Sequence, residues 1–214
     1  MIGKNLRETN LLCNLIQTSS SNPQMEHRDD NHYIEKVIAG DTAAFASLVN
    51  RHKDLVFTIA LKILQNREDA EEVAQDAFVK AFQKLATFRR DSRFSTWLYR
   101  IAYNEAISKT RLRKIQEVEI VDETNESVAD DELEDGVLGL SPEEQKQAID
   151  LVLKRLPQGD QLMISLFYHQ GMPITEITGI TGMSESNVKV RLHRLRKKIY
   201  VELNEILSRK IFSF

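Results

Sequence analysis

Between Ile115 and Gln145 the chain carries twelve Asp and Glu residues and no Lys or Arg. Like charges at that density repel one another, and the few apolar residues among them bury too little area to offset the entropy of ordering the backbone. A 214-residue chain interrupted in this way is expected to build two small cores rather than one medium one. The expected organisation is a polar, poorly ordered extension over residues 1–29, in which Met25 offers an alternative start. A first domain over 30–114, an extended acidic linker over 115–140 and a second domain over 141–214 follow.

Both cores read as helical. Phe45, Leu48, Val49, His52, Val56, Ile59, Ala60 and Ile63 recur at three- and four-residue spacing. So do Ala70, Val73, Ala74, Ala77, Phe78, Ala81, Phe82 and Leu85, each series forming one buried stripe. After the acidic stretch, Ser141-Pro142-Glu143-Glu144 places a cap, a proline at the first helical position and a capping-box glutamate in order. Ile149, Val152, Leu153 and Leu156 then form an apolar face, Pro157 and Gly159 end that helix, and Asp160 is expected to cap the next. Strand signals are weak throughout. The expected fold class is all-α, two helical domains joined by an acidic flexible linker, the second containing a helix-turn-helix.

The net charge of −3 conceals two cationic blocks. From Phe88 to Lys114 there are eight Lys/Arg, two acids and five aromatics, namely Phe88, Phe94, Trp97, Tyr99 and Tyr103. Cations hold phosphates, and aromatic faces stack on bases that have left the duplex at about 1–3 kcal/mol per base. On the helix predicted here, Trp97, Arg100, Asn104, Ser108 and Arg111 share the side expected to meet DNA, while Leu98, Ile101 and Ala102 face the core. Lys109, Arg111, Arg113 and Lys114 suit phosphate contact.

The second block, Ser186 to Lys198, has six Lys/Arg and no acid. Ile174 to Thr181 forms a short helical pattern, Gly182-Met183 a turn, and Ser184 a cap for a long helix running to about Leu207. Val188, Leu192, Leu195 and Ile199 point inward. Ser186, Asn187, Lys189, Val190, Arg191, His193 and Arg194 are left toward solvent where a recognition helix meets base edges, and later cations such as Lys197 suit phosphates.

Other chemistries lack their residues. Cys13 is the only cysteine, so no disulfide framework or cysteine-clustered zinc site is expected, and the reducing cytoplasm is the expected compartment. His27, His32, His52, His169 and His193 have no metal-ligand spacing. Gly171, Gly179 and Gly182 lie outside any phosphate-binding GxxxxGK arrangement. No cofactor, metal or catalytic residue is expected, and no signal peptide or membrane-inserting segment of ~18–20 apolar residues is read.

Over residues 31 to 205, apart from the linker, the chain resembles the extracytoplasmic-function (ECF) class of bacterial sigma factors. DAEEVAQDAFVKAFQKLATF (69–88) is similar to the family's polymerase-binding helix. RFSTWLYRIAYNEAI (93–107) is similar to its promoter-melting and minus-ten segment, and GMPITEITGITGMSESNVKVRLHRLRKKI (171–199) to its minus-thirty-five helix-turn-helix. The resemblance implies that Asp69, Glu72, Gln75 and Asp76 meet core RNA polymerase. It also implies that Asn104 helps read a minus-ten base and that the loop Phe88, Arg89, Arg90, Asp91, Ser92 and Arg93 encloses a flipped one. The implied partners are core polymerase and promoter DNA, duplex and melted, with an anti-sigma factor as a partner that relatives commonly have.

The implied function is promoter recognition and melting without enzymatic activity. The alternative is a helix-turn-helix repressor or activator that acts without replacing the sigma subunit, which the aromatic-basic segment opposes. The sequence departs from the family at Pro173, Thr178 and Gly179, where a serine-like residue and alanines are usual. Gly179 is expected to cost its helix about 1 kcal/mol relative to Ala without touching the DNA face.

Overall fold

The computed structural model describes residues 23–116 and 142–211, and side chains over 30–112 and 147–206. The acidic linker from residue 117, the Ser141 cap and the first part of the extension lie outside the described residues. Every regular element among them is helical.

Helix α1 (Pro23–Ile38) begins inside the stretch assigned to the extension. A 3₁₀ turn at Thr42–Ala44 leads into α2 (Phe45–Leu64), whose apolar stripe is buried as its spacing predicts, with Val49 only half-covered. Gln65 ends α2 in the left-handed conformation at φ 53°, its N–H bonded to the Leu61 carbonyl. Asn66 then caps α3 (Arg67–Lys84) by accepting from the Asp69 amide at 2.9 Å, with Glu68 and Asp69 complementing the helix N-terminus. On α3 the structure corrects the stripe at one position, because Phe82 is 40% exposed and meets Phe45 edge-on. Helix α4 (Phe94–Gln116) packs its Leu98, Ala102 and Ala106 side against α2 and α3.

In the second domain α5 (Pro142–Arg155) buries Ile149, Val152 and, just past its end, Leu156. Helix α6 (Gln158–Ile164) starts after Pro157, so Asp160 sits inside the first turn instead of capping it. Its continuation widens into a π turn over Ser165–His169, which the Gln170 amide closes on the Ser165 carbonyl at 3.0 Å. Helix α7 (Ile174–Thr181) stops at Gly182, whose φ of 74° is the left-handed C-cap a glycine permits. Ser184 caps α8 (Glu185–Ile211), accepting from the Asn187 amide at 3.3 Å.

The two domains joined by the linker also meet directly. Helix α4 packs against α7 and α2 against α6, and the buried side chains form one continuous cluster. The cause is a third face on α4. Tyr103, Ile107 and Thr110 line the seam toward Leu162, Met163 and Met183 of the second domain.

Candidate nucleic-acid interface

On α4, Arg100, Asn104, Ser108 and Arg111 are all exposed, at the three- and four-residue spacing that aligns them along one side. The two acids of this basic stretch are turned to other work. Glu105 accepts from Lys80 of α3, and Asp91 pairs with Arg89 at 2.7 Å within the loop. The exposed row therefore carries cations and hydrogen-bonding groups without a carboxylate among them.

At its N-terminal end stands an aromatic cluster. Trp97 is half-buried, its ring 5.1 Å from Phe88 and 5.8 Å from Phe94, so it is neither core nor free surface. The cluster rests on groups that local sequence periodicity could not place. His52 lies against Phe94 at 5.7 Å, while its ring nitrogens meet Tyr99 Oη and Asp30 Oδ2, each at 2.9 Å. Asp30, His52 and Tyr99 are all buried, and Arg51 Nη1 reaches Asp30 Oδ1 at 3.5 Å. Helices α1, α2 and α4 are thereby joined under the aromatics by a polar network. Sequence reasoning saw His52 only as a member of an apolar stripe, because its partners lie far away in the chain.

The loop before α4 holds Arg90 in the left-handed conformation at φ 61°, with its guanidinium 3.1 Å from Glu35. Ser92 contacts only a neighbouring carbonyl, at 3.4 Å. Both loop pairs are well exposed, so little free energy opposes exchanging the carboxylate for a phosphate. Arg93 points elsewhere, across the seam to Glu176 at 2.7 Å.

On α8, Ser186, Asn187, Lys189, Val190, His193 and Arg194 are exposed, and Val190 is 48% so. Lys189 pairs with Glu185 one turn back at 2.6 Å, an exposed contact of small weight. Lys197 is half-buried. Arg191, its side chain 40% exposed, stands at the flank of this row. It lies about 120° around the helix from the centre of the exposed row, with its Nε 2.6 Å from Asp160 Oδ1. A Cβ on Gly159 would stand 3.2 Å from the Arg191 guanidinium.

On α3, Glu72, Gln75 and Asp76 are exposed, and Val79 (53%) and Phe82 extend the face with apolar surface. Asp69 is held differently. Lys109 of α4, expected to touch phosphate, bridges Asp69 Oδ1 at 2.9 Å and Glu72 Oε2 at 2.7 Å. The hydrogen bond to Glu72 leads the effects that raise the Lys109 pKa above 10.5. Arg113 and Lys114 have no described side chains.

Among the described residues no group of three or more His, Cys, Asp or Glu could hold a metal ion, and no helix is long and apolar enough to cross a membrane.

Residues 48–116 match the family model for sigma-70 region 2, and residues 146–199 that for sigma-70 region 4. The ECF RNA polymerase sigma factor SigW of Bacillus subtilis is 32% identical over 81% of this chain and 96% of its own length. This chain belongs to the ECF sigma factors. The ECF sigma-E factor of Escherichia coli K12 is 30% identical to this sigma factor over 86% of the chain and 99% of its own. Among solved structures, the sigma factor RpoE of Bartonella quintana, in complex with the anti-sigma factor NepR, aligns with 25% identity and a TM-score of 0.54. That alignment covers 74% of this chain and 96% of RpoE. CnrH, in complex with the cytosolic domain of CnrY, shares the fold at a TM-score of 0.55, covering 82% and 97% of the two chains with 24% identity. The region 2 match ends with α4 and the region 4 match ends within α8, so both candidate DNA-binding faces lie inside matched segments. Like other sigma factors, the chain acts in transcription initiation with core RNA polymerase and promoter DNA.

Proposed function

We propose that the sigma factor divides promoter recognition between two surfaces and docks on polymerase through a third. The row Arg100, Asn104, Ser108 and Arg111, with the Phe88–Trp97 aromatics and the loop through Arg93, captures unpaired minus-ten bases. The exposed side of α8, from Ser186 to Arg194 without Arg191, enters the minus-thirty-five major groove, and Lys197 serves a flanking phosphate. Gln75, Asp76, Val79 and Phe82 of α3, with the outer part of Glu72, meet core polymerase. Asp69 supports that surface from beneath through Lys109.

The single observation that carries this reading is the acid-free row on α4 beside a half-exposed aromatic cluster. Extruding a base costs a few kcal/mol. One or two stacking contacts at about 1–3 kcal/mol each, with phosphate neutralisation added, are of the same size. Opening therefore needs no nucleotide hydrolysis by this chain, and we assign it no enzymatic role. The cytoplasm is the compartment that reading requires. An anti-sigma factor, as on the Bartonella relative, is a further partner in it.

The test is transcription from reconstituted components. Purified protein with core polymerase should initiate at a cognate promoter and make thymines near the minus-ten element reactive to permanganate. A protein that binds palindromic duplex alone and never redirects polymerase would instead be a helix-turn-helix regulator.

A further inference from the structure

We propose that His52, too deeply buried to reach DNA, is a positioning residue for promoter melting, because it fixes the aromatic platform on which the unpaired minus-ten strand stacks. The support of the platform stands on its own geometry, whereas its part in melting rests on the sigma-factor reading above.

The contacts run inward from the surface. Phe88 and Trp97 are half-buried with their rings 5.1 Å apart, and each leans on Phe94 at 5.8 Å. Phe94 is 2% exposed, and His52 lies against it at 5.7 Å with the two rings tilted by 59°. The half-exposed rings therefore stand on a buried ring, and that ring stands on an imidazole.

This imidazole differs from an apolar support in being unable to turn. A carboxylate only accepts, so Nε2 donates to Asp30 Oδ2, and in the neutral ring Nδ1 accepts from the Tyr99 hydroxyl. Both bonds are 2.9 Å long and their partners belong to α1 and α4, so the plane of the ring is set from two helices other than its own. Asp30 is aimed in turn. Arg51 Nη1 reaches its other oxygen at 3.5 Å while the same guanidinium lies 5.1 Å from the centre of the Tyr33 ring.

Stability alone does not account for such a network. Well-packed apolar side chains in place of buried charged groups are often neutral or stabilising, whereas hydrogen bonds impose direction. Direction is what a stacking platform requires. A binding constellation has to be held within about 0.5 Å and 10–20° of its productive geometry by side chains locked from behind. His52 supplies that lock to Phe94, and through Phe94 to Trp97.

Trp97 is the chain's single tryptophan, so its emission in the free full-length protein reports the platform directly. Three variants separate positioning from stability. His52→Asn keeps a donor and an acceptor but removes the ring beneath Phe94. Tyr99→Phe keeps every ring and removes one bond. Val73→Ala truncates a buried side chain of α3, a helix that contributes no residue to the network, and controls for lost stability. His52→Asn should shift Trp97 emission and, with core polymerase, lower permanganate reactivity at the minus-ten element about tenfold, equivalent to ~1.4 kcal/mol. Closed-complex affinity should stay within about twofold. Tyr99→Phe should show a smaller loss of the same kind, and Val73→Ala neither change. Opening that falls in step with melting temperature in all three variants would overturn the positioning role, as would unchanged emission in His52→Asn. A shifted emission with unchanged opening would overturn the part in melting. If Trp97→Ala leaves opening intact, the reading of the platform as a strand-capturing surface fails, and the emission of His52→Asn still decides whether His52 holds it in place.

Discussion

Arg191 Nε lies 2.6 Å from Asp160 Oδ1, fastening the flank of the recognition helix to the start of α6. The carboxylate side chain is 15% exposed and the guanidinium 40%, so the pair is a partly shielded charge-assisted hydrogen bond. We expect Asp160→Asn to destabilise the protein by about 1 kcal/mol, discounted for the exposure of the arginine. Arg194→Ala should weaken minus-thirty-five duplex binding several-fold more than Arg191→Ala does. Chemical denaturation beside fluorescence-anisotropy titration of duplex DNA reads both, and equal binding losses would return Arg191 to the reading face.

Trp97 divides binding from melting. Its partial exposure beside Phe88 leaves one face available to a base, and loss of a stack worth about 1–3 kcal/mol should reduce open complex by roughly 5- to 150-fold. Trp97→Ala should leave closed-complex affinity within about twofold, a change worth only ~0.4 kcal/mol. Permanganate reactivity compared with gel-shift affinity on the same promoter checks this, and parallel losses would mean Trp97 only holds the fold.

His52 joins two buried partners, Tyr99 and Asp30. His52→Leu preserves bulk but removes one hydrogen bond from each, leaving Asp30 with the longer Arg51 contact. We expect a loss of about 2–3 kcal/mol in urea unfolding, the scale for buried polar groups deprived of a partner. His52→Asn, which keeps one donor and one acceptor, should recover part of it.

His169 supplies a pH signature. Partial desolvation first, although the residue stays exposed at the surface, and then the charge of Lys62 on α2, lower its pKa from 6.5, with Asp150 on α5 opposing them. The unfolded chain, retaining the ordinary value, binds the proton first as pH falls. Stability from this group is therefore fully present above 6.5 and declines as pH drops from there toward the lowered folded value. The melting temperature should fall between about pH 7.5 and 5.5, and His169→Gln should flatten that segment of the curve. An unchanged slope in the variant would assign the dependence to other groups.

Val79 tests the docking face. At 53% exposure it has no role in the core, so Val79→Glu should leave the melting temperature nearly unchanged. It should weaken association with core polymerase at least several-fold, since a charge placed in the centre of an apolar contact is desolvated on docking. Competition with a labelled sigma factor for core polymerase measures it.

Much of this architecture was legible from period and punctuation. The stripe from Phe45 to Ile63, the Gly182 stop and the Ser184 cap all depend on neighbours within one helical turn, where sequence carries the physics directly. The Arg191–Asp160 pair was not legible in a sequence where Arg191 reads simply as one of the solvent-facing residues of its helix. A helix has room for a flank, and Asp160 lies on a different element. Phe82 belonged to the apolar count, yet its place at the stripe's edge left it half in solvent. The Asp30–His52–Tyr99 network and the seam share a cause. Both join residues far apart in the chain, and the seam side of α4 mixes Thr96 and Thr110 with Tyr103 and Ile107, which reads as neither core nor surface.

Lys109 and Lys80, each gripping carboxylates between α3 and α4, have a mechanical meaning. The two helices are here cross-braced at two places that lie one turn apart on α4. On the proposed docking of α3, any bearing that polymerase imposes there would be passed to the exposed row of α4 with little slack. The groups proposed to capture the strand would thus be aimed by the enzyme's own surface, and loosening these braces should blur where melting begins before it diminishes how tightly the subunit is held.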